Sequence, residues 1–109
     1  MKVHVMKRTI IMSVLACLVA LPAAAADIEV KQDKKKFDTK AVTASVGDDI
    51  VFKNNDKVAH NVHSSNNGHR FDLGLQRPGE SARLNLSTPG EFMVRCAIHP
   101  KMKVKVSVK

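Results

Sequence analysis

Apolar side chains recur at every second position through most of the chain after residue 40, and this alternation limits the folds the chain can adopt. The pattern is clearest in five segments: AVTASV, DIVFKN, SARLNLS, EFMVRC and MKVKVSV. A period of two is typical of a strand with one buried face, whereas a helix needs a period of 3.6. It predicts these inward residues: Val42, Ala44, Val46, Ile50, Phe52, Ala82, Leu84, Leu86, Phe92, Val94, Cys96, Met102, Val104, Val106 and Val108.

Turn-forming residues separate these segments at short intervals. They include Asn and Asp clusters and the Pro-Gly pairs at 78–79 and 89–90. Short strands with frequent turns predict an all-β domain, an antiparallel sandwich or barrel of about seven or eight strands. No stretch after residue 27 has a convincing amphipathic helical pattern.

The N-terminus has the order of a secretory signal peptide: a basic opening, an apolar run and small residues in PAAAA. The apolar run is too short for a membrane-spanning helix, which needs about 20 residues. We therefore predict a signal peptide over residues 1–26, a mature domain over residues 27–109 and a periplasmic location. Lipidation of Cys17 is the competing interpretation, and Leu15 and the apolar run continuing past Cys17 disfavour it.

Cleavage after Ala26 would leave 83 residues with 15 basic and 10 acidic side chains, a net charge of +5. Lysines cluster at residues 34–36 and 101–109. Export and the lack of an aromatic platform argue against a nucleic-acid partner. An acidic protein partner, or simply solvated strand faces, fits these lysines better.

The stretch CAIHPKM places a cysteine, a histidine and a methionine three residues apart each. Cys96 is the one cysteine of the predicted mature chain, so it has no partner for an intramolecular disulfide. Pro100 interrupts the strand pattern, which puts Cys96, His99 and Met102 on one loop between two strands. Taken singly, each could be an ordinary core or surface residue, but thiolate, imidazole and thioether together are soft ligands that favour copper.

A further ligand has to come from another segment, and VAHNVHSS offers two histidines. Val58, His60 and Val62 share one predicted strand face, so His60 points inward and His63 points away. A polar residue in an apolar face is the informative one. His63 and His69 are left either as ordinary surface histidines or as a secondary copper-loading site.

These stretches resemble the cupredoxins, the small blue-copper proteins, in their amicyanin- and plastocyanin-like branch. VGDDIVFKNNDKVAHNV, FDLGLQRPGESARL and TPGEFMVRCAIHPKMKVKV carry the resemblance over most of the mature domain. It implies a Greek-key β-sandwich with one copper ion per chain, bound by His60, Cys96 and His99 with Met102 as a weak axial ligand. It also implies that the Asn61 side chain ties the two ligand segments together.

Two loop residues depart from the family pattern. Ile98 stands where amicyanin-like loops have proline, which leaves a backbone N–H that we predict bonds to the Cys96 sulfur. Lys101 replaces a bulky apolar residue beside His99, which predicts a more basic docking patch and salt-dependent association with an acidic partner.

The resemblance implies a one-electron carrier that works with a redox protein such as a c-type cytochrome or a dehydrogenase. We expect a monomer without a membrane span. A copper-binding carrier, storage or stress protein is the alternative, and would use the same ligands for metal exchange. An enzyme is disfavoured, because a sandwich of this length offers no obvious cleft and no recognisable oxyanion element.

Overall fold

The computed structural model of the protein describes residues 24–109. Within them the chain forms nine strands and no helix. The strands are β1 (Asp27–Asp33), β2 (Lys36–Phe37), β3 (Ala41–Ala44), β4 (Asp49–Asn54), β5 (His60–Ser64), β6 (Phe71–Gln76), β7 (Ser81–Asn85), β8 (Gly90–Arg95) and β9 (Lys103–Val108).

The strands form two sheets of a sandwich. One sheet has the order β2-β1-β4-β7 and the other the order β3-β9-β8-β5-β6. The all-β sandwich prediction is confirmed, but both sheets are mixed rather than antiparallel, because β1 pairs with β4 and β3 with β9 in parallel. The alternation of side chains has a period of two in either arrangement, so it does not reveal the direction of a neighbouring strand.

The core lies between the sheets and is formed by most of the predicted inward positions, with Ile50, Phe52, Val94, Val104 and Val106 all at 0% exposure. Val46 is an exception at 47% exposure, because β3 has already ended at Ala44. Val58 is also exposed, because it lies in the turn before β5 rather than on the strand.

The sheet order brings distant parts of the chain to one end of the sandwich. β8 lies between β5 and β9 and is antiparallel to both. In an antiparallel pair the start of one strand lies beside the end of the other. The same end of the sandwich therefore holds the start of β5, the end of β8 and the start of β9.

The predicted signal peptide lies outside the described residues except for its last three alanines, and Cys17 lies outside them as well. Ala26 already belongs to the folded domain, since its N–H donates to Asp48 Oδ1 at 2.9 Å and its carbonyl accepts from Asp49 N–H at 2.9 Å. Residues 24–109 contain no helix that could span a membrane.

Candidate metal centre

Cys96, His99 and Met102 lie on the loop between β8 and β9, residues 96–102, which we call the ligand loop. Cys96 directly follows β8, and Met102 directly precedes β9. Two backbone hydrogen bonds close the loop: Met102 N–H donates to His99 C=O at 2.9 Å, and Cys96 N–H donates to Met102 C=O at 3.2 Å. The two strands are paired up to Arg95 and Lys103, so the loop is anchored rigidly at both ends.

Three potential ligand atoms converge at this end of the sandwich. The Nδ1 atoms of His60 and His99 are 3.1 Å apart. The Cys96 sulfur lies 3.9 Å from His60 Nδ1 and 3.7 Å from His99 Nδ1. Ligands that share one ion at about 2.0–2.3 Å each have separations of this order. His60 and Cys96 are buried and His99 is partly exposed, so the cluster reaches the surface through His99.

The orientation of His60 is set by a carboxylate that we did not single out from the sequence. His60 Nε2 lies 2.8 Å from Asp56 Oδ2, and the His60 side chain is 0% exposed. An ionised carboxylate can only accept, so Nε2 carries the proton and Nδ1 keeps its lone pair for a metal. Asp56 therefore selects the tautomer in which Nδ1 faces Cys96 and His99.

Backbone donors hold Asp56 in its ionised form. Lys35 N–H donates to Oδ2 at 2.8 Å, and Lys57 N–H donates to Oδ1 at 2.7 Å. The Lys35 N–H first, then the His60 ring, lower the pKa of Asp56 to about 2. The buried Asn54 side chain also accepts from Asp56 N–H at 2.9 Å, which shapes the turn that carries the carboxylate.

We expect Asp56→Asn to lower copper affinity about tenfold, the low end for loss of an outer partner of a metal-bound histidine. The negative charge of Asp56 stabilises Cu(II) more than Cu(I). Its removal should therefore raise the reduction potential. Competition with a copper chelator and protein voltammetry measure the two effects. Glu29→Gln, which removes an exposed carboxylate from β1, is the charge-matched control. Equal changes in both variants would show that Asp56 acts only through net charge.

The Cys96 sulfur is almost fully enclosed, at 1% residue exposure. It accepts a hydrogen bond from Asn61 N–H at 3.3 Å. The sequence predicts a bond from Ile98 N–H, but among residues 24–109 no such bond is present, so that prediction is wrong. The Ile98 side chain is 49% exposed on the outer side of the loop, and the donor to sulfur comes instead from the neighbouring strand β5.

The Asn61 side chain joins the two ligand segments, as the family resemblance implied. Its Oδ1 accepts from Ala97 N–H at 3.3 Å, next to Cys96. Its Nδ2 donates to Asp72 Oδ1 at 2.8 Å and to Gly74 C=O at 3.1 Å. Asn61 thus connects β5 both to the ligand loop and to β6, and the buried amide holds these segments in register.

Among residues 24–109, two further histidines have partners outside the cluster. His63 Nδ1 lies 3.0 Å from Asn61 Oδ1, so His63 supports the amide that ties the ligand segments together. His69 stacks on Phe92 with ring centroids 4.6 Å apart, and its Nε2 lies 3.1 Å from Thr88 C=O. Neither histidine belongs to the ligand cluster found within residues 24–109.

The donor set fits copper. One thiolate and two neutral imidazoles in a trigonal arrangement, with a thioether nearby in sequence, are the ligands of blue-copper electron-transfer sites. Calcium and magnesium prefer oxygen ligands, and structural zinc sites have four ligands drawn from cysteine and histidine. Met102 is 2% exposed and is the last residue of the same loop, directly before β9.

The comparisons with known proteins agree with this chemistry. The family model for copper binding proteins of the plastocyanin/azurin family matches residues 24–109. Two curated proteins of Methylorubrum extorquens strain AM1 are similar over 90 residues. Methylamine utilization protein MauL is 34% identical, covering 82% of this chain and 79% of its own length. Amicyanin-alpha is 33% identical, covering 80% and 76%.

Solved structures show the same similarity. The Cu(I) form of an amicyanin mutant superposes with a TM-score of 0.72 at 26% identity, covering 79% of this chain and 85% of that one. The region matched by the family model, residues 24–109, includes His60, Cys96 and His99.

Proposed function

The chain belongs to the plastocyanin/azurin family of copper-binding proteins, and from this we propose that it is a type 1 copper protein that carries single electrons between redox partners. The observation that supports this function most directly is the convergence of one cysteine sulfur and two imidazole nitrogens within 4.8 Å. We assign His60, Cys96, His99 and Met102 as the ligands of one copper ion.

Copper bound here would supply one-electron exchange between Cu(I) and Cu(II). The protein residues keep the ligands in one arrangement: β8 and β9 anchor the loop, Asn61 joins it to β5, and Asp56 orients His60. Ligands held this way need little rearrangement when the charge changes, which suits fast electron transfer. His99 reaches the surface, so a docked partner comes nearest to the site at its ring.

Met102 is proposed as the weak axial ligand. We expect Met102→Leu to retain copper and a visible band, while the reduction potential rises by about 60 mV, equivalent to a tenfold change in relative Cu(II) and Cu(I) affinity. Loss of a thioether donor removes electron density that favours Cu(II), and axial ligands tune the potential in this way. Met93→Leu, on β8, is the control. A potential that stays the same in both variants would exclude Met102 as a ligand.

The alternative function is copper transport, storage or stress protection through metal exchange. The burial of His60, Cys96 and Met102 favours electron transfer, because exchange needs access to the ion. The test compares two rates in the copper-loaded protein: reduction by a c-type cytochrome and loss of Cu(I) to a thiol chelator. Fast reduction with retained copper supports the electron carrier, and rapid copper loss with slow reduction supports metal exchange.

We propose a non-enzymatic role, with a cytochrome or dehydrogenase as partner and the monomer as the working form. One relative is named for methylamine utilization, so we propose a partner from an amine-oxidising pathway. The basic residues around the ligand loop favour a partner with an acidic surface.

We also propose export to the periplasm with removal of residues 1–26. Intact mass of the protein recovered from the periplasm tests this directly. A mass larger by one alanine would indicate cleavage after residue 25, which retains Ala26, whose N–H bonds to Asp48. A mass that includes the N-terminal apolar run would contradict processing.

A further inference from the structure

The turn between β1 and β2 has an unusual backbone for its residues. Asp33 pairs with Lys36, so Lys34 and Lys35 form a two-residue hairpin loop. Both have positive φ, +53° for Lys34 and +58° for Lys35. Such loops normally contain Asn-Gly or Gly-Gly, because side chains at positive φ cost about 1–2 kcal/mol per residue. Lys34 and Lys35 thus adopt a backbone conformation that is unfavourable for residues with a side chain.

Hydrogen bonds fix this turn relative to the metal centre. Lys34 N–H donates to Asp33 Oδ1 at 2.9 Å. Lys35 N–H donates to Asp56 Oδ2 at 2.8 Å, and the same oxygen lies 2.8 Å from His60 Nε2. One carboxylate oxygen of Asp56 therefore bonds both to the lysine turn, residues 34–36, and to the buried His60 ring. The turn thus has a defined position beside the site.

The lysine turn forms one wall of a surface cleft of about 510 Å³. Residues 34–36 line one side, and residues 98–102 of the ligand loop line the other. The loop contributes exposed apolar surface from Ile98 and Pro100, and Lys101 adds a fourth lysine. Within residues 24–109 no carboxylate lines the cleft, and Asp33, the acid beside Lys34, accepts a hydrogen bond from the turn itself.

We propose that the lysine turn, residues 34–36, is a preformed docking element for a protein partner whose surface combines carboxylates with an apolar side chain. The inference rests on the proposed function and places the partner beside His99. The four lysines complement carboxylates, and the exposed apolar surface of Ile98 and Pro100 complements an apolar side chain. Because the turn is already ordered, less conformational entropy is lost when a partner binds. Charges at the rim speed association and make it depend on salt.

The test uses Lys34→Asn/Lys35→Gly, a double variant that removes two charges but keeps residues suited to positive φ and the N–H at position 35. Lys53→Gln/Lys109→Gln removes two exposed lysines outside the cleft and is the control. The probe is a synthetic peptide of alternating Glu and Leu, with a Gln/Leu peptide for comparison. Binding to the ¹⁵N-labelled, reduced, copper-loaded protein is followed by NMR.

We expect the amide signals of residues 34–36 and 98–101 to shift with the Glu/Leu peptide. Its Kd should rise about tenfold in Lys34→Asn/Lys35→Gly and less than about twofold in the control. Equal weakening in both double variants, shifts confined to another face, or equal binding of the Gln/Leu peptide would overturn the proposal. So would duplex DNA that binds the same residues more tightly than the Glu/Leu peptide.

The visible spectrum of each copper-loaded protein is recorded first. A parent protein without a thiolate-to-copper band contradicts the proposed function. A coloured protein whose peptide binding does not depend on the lysine turn contradicts only the docking site.

Discussion

Cys96→Ser should abolish the intense visible band that Cu(II) gives with the parent protein. That band requires a thiolate bound to copper, and the serine hydroxyl is a hard ligand that stays protonated at neutral pH. Copper affinity should fall by more than the roughly 10–100-fold that loss of an outer partner costs. The measurement is Cu(II) titration with visible absorption and EPR spectroscopy.

The matched control is Cys17→Ser, at the only other cysteine of the sequence. It should leave the band unchanged, because Cys17 is expected to be removed with the signal peptide. Circular dichroism verifies that the apo form of Cys96→Ser is folded, since the serine can still accept the Asn61 N–H. A band that persists in Cys96→Ser would refute the blue-copper assignment.

Asn61→Ala is expected to have the second-largest effect, on both copper binding and stability. The variant loses the Ala97 N–H bond and leaves the Gly74 carbonyl without its amide donor. We expect the free energy of unfolding of the apo protein to fall by about 1–3 kcal/mol, because the variant loses several hydrogen bonds that each contribute about 0.5–1.5 kcal/mol. Copper affinity should fall about 10–100-fold, because the ligand loop is no longer tied to β5.

Denaturant unfolding of the apo protein and chelator competition measure these two quantities. Asn85→Ala is the control: Asn85 is exposed and donates to Asp49 Oδ1 at 2.8 Å, away from the ligands. It should change stability by no more than about 0.5 kcal/mol and leave copper affinity unchanged. The same loss of copper affinity in both variants would contradict the linking role of Asn61.

The variant also loses the other two contacts of the Asn61 side chain, those with Asp72 and His63. Asp72 is exposed, so water can replace the amide when it is lost. His63 is partly buried and would lose its Asn61 partner. All four bonds of the Asn61 side chain are only partly buried, so the expected stability change is spread over them.

Much of the proposed ligand site was predictable because three of its residues are close in sequence. Cys96, His99 and Met102 lie within seven residues, and the alternation in EFMVRC placed Cys96 at the inner end of a strand. His60 was recognisable as a polar residue in an apolar strand face. The family resemblance supplied the ligand roles, which spacing alone left open.

The partners of those ligands depended on contacts between distant residues. Asp56 reaches His60 only because the turn after β4 folds back over the start of β5, and Lys35 reaches Asp56 across 21 positions. The expected Ile98 bond was wrong for the same reason: β5 supplies the sulfur's backbone donor through Asn61. Alternation and residue spacing in the sequence do not specify these contacts between distant residues.

The sequence alone determined the strand class, most of the core and the ligand loop, because alternation and spacing are local properties of the chain. The tertiary structure decided the parallel pairs, the exposure of Val46 and Val58, and the link from the lysine turn through Asp56 to His60. These features depend on which strands become neighbours. That choice follows from the free energy of packing the whole sandwich, to which residues far apart in sequence contribute together.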